Sequence, residues 1–268
     1  MNEWILPQGE AAALMPGASY SLPGLFLYSK LIYQCLDQVQ DKFGYAIPVR
    51  YLYGSPKVLW NCGRLIITDN HYTREEIYQE LAGAKARGIT PLLTFSAPVL
   101  SQEDLADPAG NEILVMADEV GGGVIVSTPL LRDYIRAKYP NIEVHASVIM
   151  TAFPEQRDES YYASLAREYD RFVVHPDDNF RLDLLEKIPK DRAEIILNER
   201  CVYQCHQRKE HYLSIVEDQA ALIHGEGELT HFLDRCPNVP DFKQHASKAR
   251  NISLTAEEAV RLQGMGFS

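Results

Sequence analysis

Gly123–Ile149, GVIVSTPLLRDYIRAKYPNIEVHASVI, decides the fold. A β-rich apolar run (Gly123–Ser127) leads into a helix-like stretch (Thr128–Lys138), and a second β-rich run follows at Glu143–Ile149. Strand, helix and strand within about 30 residues is the pattern of a right-handed βαβ crossover. The same unit recurs on both sides. Strand-like runs stand at Val49–Tyr53, Thr90–Phe95, Arg171–His175 and Ala193–Leu197, with helix-like runs at Asn111–Val120, Ser160–Tyr169 and Asn179–Lys187. Thr73 and Glu76 have capping-box spacing, and Ile77, Leu81, Ala84 and the closing Gly88 fit one helix to about Arg87. Two shorter runs, Leu65–Thr68 and Asn251–Leu254, bring the strands to eight. That number favours a (β/α)8 TIM-barrel-like α/β fold, whole or cut short and distorted, over an open doubly wound sheet. No glycine-rich phosphate loop follows a strand; Gly121–Gly123 precedes one and reads as a helix stop.

The remaining segments add one helix and an irregular start. Residues 1–24 are rich in Gly, Pro, Ala and Ser and read as an irregular lead-in to a single domain spanning 1–268. Leu27, Leu31, Ile32, Cys35, Leu36, Val39 and Phe43 then fall at helical spacing, which makes Cys35 a small buried hydrophobe on that stripe. Glu143-Val-His145 alternates as a strand does, so His145 points away from its flanking residues. Thr255 to Gln263 reads as a short late helix stopped by Gly264.

Bulk properties exclude several classes. The 268 residues are 46% hydrophobic and 24% charged, ordinary for a folded globular chain. A net charge of −11 argues against a nucleic-acid-tracking surface, which needs a basic stripe. No apolar run approaches the roughly 18 residues of a membrane span, and the N-terminus lacks the basic start of a secretory signal. A cytoplasmic, reducing location is the expectation. The five cysteines (Cys35, Cys62, Cys201, Cys205, Cys236) then read as metal ligands or free thiols rather than disulfides.

Chemistry concentrates after the last long strand, where Asn198 breaks the Ile195–Leu197 run. Glu199, Cys201, Cys205, His206, Arg208 and His211 follow in quick succession. Reactive groups of a (β/α) barrel sit on the loops after its strands. Cys201 and Cys205 would share a face, and so a metal, if their segment is helical. Cys236 and Cys62 are candidate third and fourth thiolates, a set that suits zinc or a [4Fe–4S] cluster. Packed or surface thiols are the plain alternative. Glu199 suits a general base, and His211 and His206 suit ligation or acid/base work. His175 stands at a strand end, where it is either functional or a hydrogen-bonded rim residue. Arg64 and Arg208 are candidate carboxylate or phosphate clamps.

The array Asn198-Glu-Arg-Cys201-x-x-x-Cys205-x-x-Arg208-x-x-His211 resembles the collagenase-like peptidase superfamily. That group includes RNA-hydroxylation proteins and the paired accessory proteins of oxygen-independent ubiquinone hydroxylation. Leu254-x-x-Glu257…Gly264-Met-Gly266-Phe and Asn61-x-Gly63-Arg64 resemble further segments of it. The resemblance implies a (β/α) barrel and a [4Fe–4S] cluster held by Cys201 and Cys205, with Cys236 and Cys62 completing the set. It also implies redox or oxygen-transfer chemistry, with Asn198 and Arg64 at the cofactor and Glu199, Arg208, His211 and His175 around it. The family's long serine- and glycine-rich cysteine signature is absent, so peptidase activity is not expected. The chain also stops at Ser268, where that family leads one to expect another strand.

Three readings follow from the residues. The first is an iron–sulfur barrel enzyme acting on a small organic or peptide-linked substrate. The second is a zinc-dependent hydrolase or lyase on the same Cys/His set. The third is a non-catalytic, metal-stabilised subunit working beside a protein partner.

Overall fold

A computed structural model of the chain describes residues 17–62, 72–199, 201–225, 227–230 and 252–267. Arg64, Cys236, Arg200 and the Leu65–Thr68 run lie outside them. Among the described residues, seven parallel strands form one sheet in sequential order. They are β1 (Tyr20–Pro23), β2 (Val49–Gly54), β3 (Thr90–Phe95), β4 (Gly123–Val126), β5 (Glu143–Ala146), β6 (Arg171–Val173) and β7 (Ala193–Glu194). Between them run α1 (Ser29–Phe43), α2 (Arg74–Ala86), α3 (Pro108–Glu119), α4 (Pro129–Lys138), α5 (Glu159–Glu168) and the single-turn α6 (Leu182–Leu185). After β7 come α7 (Arg208–His224) and α8 (Ala256–Gly264).

This is a curled half-barrel rather than a closed eight-stranded one. The first strand forms inside the stretch read as an irregular lead-in, where Tyr20–Pro23 pairs with β2. Where an eighth strand was expected, Leu254 N–H does donate to the Leu197 carbonyl at 2.7 Å, and Ser253 Oγ to the Glu199 carbonyl at 2.8 Å. The segment lies alongside the end of β7 but extends no ladder. No helix among the described residues is long and apolar enough to cross a membrane.

Burial along the strands separates the two faces of the sheet. Leu52, Leu93, Val124, Phe172 and Ala193 are 0–2% exposed and pack under the helices. Their neighbours Tyr53, Thr94, Ile125, Val173 and Glu194 are only half-buried. The outer layer is therefore the hydrophobic core, with each sealed Leu, Val or Phe contributing roughly 1.5–3 kcal/mol. The inner face mixes these half-buried positions with sealed ones, Tyr51, Leu92 and His145 being 1–2% exposed, and encloses a trough.

The helices start where the sequence says they should. Thr73 and Glu76 form the reciprocal capping box of α2, and Thr255 and Glu258 form that of α8. Thr128 and Asp107 cap α4 and α3, each followed by a proline in the first turn. α1 departs from expectation: Leu31 is 58% exposed and Cys35 is exposed rather than buried. α1 follows β1, an edge strand, so the sheet covers only part of its apolar stripe. The strand-like runs also end early. β5 stops at Ala146 and β6 at Val173, because the backbone turns into short 3-10 segments at Met150–Ala152 and Pro176–Phe180. Those turns build the rim of the trough.

Candidate functional site

The carboxyl ends of β6 and β7 and the first turn of α7 meet at this rim. After β6 the chain reads His175-Pro-Asp-Asp-Asn179, and all five residues are buried. His175 Nδ1 accepts from Asp177 N–H at 3.2 Å and so caps the 3-10 turn. A nitrogen that accepts a hydrogen bond carries a lone pair, which makes the ring neutral with its proton on Nε2. Burial drives His175 the same way, and the Arg157 and Arg208 cations reinforce it, taking its pKa down to about 3. Asp178 is 2% exposed and ionically held: Arg157 Nε and Tyr162 Oη each donate to Oδ2 at 2.7 Å, with Arg181 Nη1 on Oδ1 at 3.3 Å. Tyr162 Oη also accepts from His175 N–H at 3.1 Å, which locks the strand end to α5.

The two thiols come together, but not on a helix. Residues 201–207 form turns, and α7 begins only at Arg208. Gln204 sits in the left-handed region, with φ 53°, and this reverses the chain between the cysteines. Such a conformation costs a non-glycine residue on the order of 1–2 kcal/mol. Three contacts hold the loop: Gln204 N–H to Asp177 Oδ1 at 3.1 Å, Cys201 N–H to Glu199 Oε1 at 2.9 Å, and Arg208 N–H to the Cys205 carbonyl at 3.2 Å. The Cys201 and Cys205 thiols lie close enough to affect each other's ionisation. Burial pushes the Cys201 thiol up to about 11; the Arg208 cation opposes this and Cys205 adds to it. A thiol pushed up this far is protonated near neutral pH and a poor nucleophile.

Arg208 lies at the centre of the rim and is 5% exposed. Its Nη1 stands 3.8 Å from Glu199 Oε2 and its Nη2 3.9 Å from Asp177 Oδ1, with the Val202 carbonyl at 3.4 Å. Its Nε is buried and has no hydrogen-bond partner among the described residues. One turn further along α7, the carbonyl of Tyr212 accepts from Cys62 Sγ at 3.5 Å. Cys62 is 3% exposed and packs with Ile149 and Tyr212. It thus meets the same helix that carries Arg208 past Cys201. His211 is half-buried on α7, with its ring stacked on that of Tyr212. Asn198 and His206 are exposed. Among the described residues, no group of three or more His, Cys, Asp or Glu side chains converges as a metal site.

No family model matches the chain, and no curated protein does. Among solved structures it is similar to one described as a U32 peptidase, at 15% identity, over 90% of this chain and 88% of that one, with a TM-score of 0.55. A likeness at that identity speaks for the fold alone.

The rim therefore gathers Glu199, Arg208, His175 and the Cys201–Cys205 pair, while Asn198 faces solvent and Arg64 and Cys236 lie outside the described residues. Asp177 and Asp178 stand at the same strand end, and sequence reasoning missed the Arg157 and Tyr162 that hold Asp178. The available signal was the Asp-Asp pair directly after a strand: two adjacent carboxylates at a buried strand end require cations and donors from elsewhere. Which residues answer is a matter of packing. Burial pushes the Asp177 pKa up, opposed by Gln204 N–H and by Arg208.

Proposed function

We propose that this chain is an iron–sulfur barrel enzyme of the collagenase-like peptidase superfamily, related to the RNA- and ubiquinone-hydroxylation proteins. Its chemistry would be redox or oxygen transfer on a small organic or peptide-linked substrate. One observation carries the reading: two thiols converge at the strand carboxyl ends, where barrel enzymes place their chemistry, next to a buried guanidinium. Thiol sulfur is the donor that such clusters take, and the pair supplies two of the roughly four ligands a cluster needs. Cys62, on the Tyr212 turn of α7, and Cys236 are the other candidates. A bound cluster would supply one-electron transfer.

The chain's own residues have definable parts. Arg208 places a permanent positive charge where thiolates would sit, which offsets the cost of their ionisation. Glu199 fixes the backbone of Cys201 and so orients its sulfur. His175, neutral and buried, is poised to donate from Nε2. Asp177 ties the β6 rim to the Cys loop through Gln204.

Anaerobic purification tests this directly. The expected result is a brown protein absorbing near ~400 nm with bound iron and sulfide. Cys205→Ser should abolish the colour while circular dichroism stays unchanged. A colourless protein that takes up no iron on reconstitution would sink the proposal. The second reading, a zinc-dependent hydrolase, is favoured by the fold neighbour described as a peptidase and by the neutral His175. Stoichiometric zinc in that colourless sample would select it.

A further inference from the structure

A second buried cluster lies inside the trough, away from the thiols, and engages strands β1, β2, β5 and β7. At its centre is His145, which is 2% exposed. Its Nε2 stands 3.2 Å from Glu143 Oε1, and its Nδ1 stands 3.5 Å from Glu194 Oε1. These are charge contacts rather than well-aligned hydrogen bonds. Tyr51 Oη donates to Glu143 Oε1 at 2.6 Å, and the Tyr51 ring meets the imidazole edge-on, with centroids 4.9 Å apart. Ser21 Oγ donates to Glu194 Oε2 at 3.2 Å. Arg171, the register partner of His145 on β6, and Arg50 on β2 both stack over the Tyr51 ring.

The geometry fixes the charge of the imidazole. A neutral ring has one N–H and one lone pair. Here carboxylate oxygens stand 3.2 and 3.5 Å from the two nitrogens, so the charge around the ring favours its cationic form. The carboxylates also outweigh the opposing effect of burial, and the pKa of His145 is raised. Glu143 in turn is pulled down to about 2: burial pushes it up, but His145, Tyr51 and Arg50 prevail.

The topology gives that charge a task. β1 and β7 are the two edges of the sheet, and among the described residues no ladder joins them. The chain of contacts His145–Glu194–Ser21 runs from a central strand through one edge to the other. We propose that protonated His145 is a latch that holds the two edges of the half-barrel together through Glu194 and Ser21, and that its deprotonation releases β1. Loss of the proton turns one of the two imidazole–carboxylate contacts repulsive. Glu143 is anchored independently by Tyr51, so the contact to Glu194 is the one that yields. The latch does not depend on the rim thiols or on any cofactor.

Hydrogen exchange and histidine NMR on the full-length protein test this. His145 is expected to titrate above the ordinary histidine value of ~6.5. As pH rises through that transition, the protection factor at Leu22 should fall severalfold, by as much as the raised pKa of His145 contributes to holding β1. Those at Leu93 and Val124 should hold steady. Ser21→Ala should remove the pH step in β1 while leaving the titration of His145 in place. His145→Gln, if it folds, should show low β1 protection at every pH. The proposal is overturned if His145 titrates at or below ~6.5, if β1 protection does not change across the transition, or if β3 and β4 lose protection equally.

Discussion

His145 on β5 and His175 just beyond β6 are both nearly sealed from solvent, yet their surroundings push their pKa values in opposite directions. His145 has a carboxylate at each nitrogen. His175 has a backbone N–H donating to Nδ1, with Asp177 Oδ2 at 3.6 Å, and the Arg157 and Arg208 cations around it outweigh that carboxylate. Burial alone would neutralise both. The difference comes from the neighbours' charge, and it separates two kinds of interior within one half-barrel. The trough uses charge to join strands, whereas the rim keeps its imidazole neutral beside a pair of thiols.

Breaking the trough side should have the largest effect. His145→Leu leaves Glu143 and Glu194 facing each other, and denaturant unfolding should register a loss of roughly 3 kcal/mol, the low end for an unpaired buried ion pair because both carboxylates keep some water. Breaking the rim should cost somewhat less: Arg157→Ala removes one of three partners of Asp178, for about 2–3 kcal/mol by the same measurement. Tyr162→Phe deletes a donor to a buried carboxylate and an acceptor for His175 N–H, and should cost about 1–2 kcal/mol.

The pH dependence of stability sharpens the contrast, because the two rings act with opposite sign. His175 resists protonation in the fold, so the unfolded chain binds more protons as pH drops below the ordinary value of 6.5. Its contribution is complete above that value and is lost as pH falls toward about 3. His145 contributes fully below 6.5 and loses its contribution as pH rises through its raised folded value. Stability should therefore fall on both sides of a maximum. His145→Gln should flatten the alkaline side and leave the acid side; a profile with both limbs unchanged would refute the assignment. The smallest effect expected is at the Cys loop, where Gln204→Gly relieves a left-handed residue and should stabilise the protein by about 1 kcal/mol or less.

The cysteine pair shows where sequence reading stops. Spacing alone suggested that Cys201 and Cys205 could share a metal through one helical face. The thiols do meet, but in a loop that depends on a left-handed glutamine. Glycine or asparagine would have signalled that turn, and glutamine does not. The turn is held by Asp177, which arrives from another strand. The helix α7 was likewise not read, because its buried positions include Arg208, Ser214 and Gln219 alongside Tyr212, which blurs the apolar period. By contrast, α2 and its capping box were fully legible, since every group involved lies within four residues.

Local chemistry, then, was enough to determine the alternation of strands and helices, the helix starts, and the placing of reactive side chains after the last strands. These depend on periodicity and on hydrogen bonds between near neighbours in the chain. Tertiary structure alone decided that the sheet stays open, that Ser21 reaches Glu194, and that one histidine's pKa is raised while the other's is lowered. Those outcomes are set by electrostatics and packing among strands distant in sequence, and a pairwise energy across space leaves no trace in the order of residues along the chain.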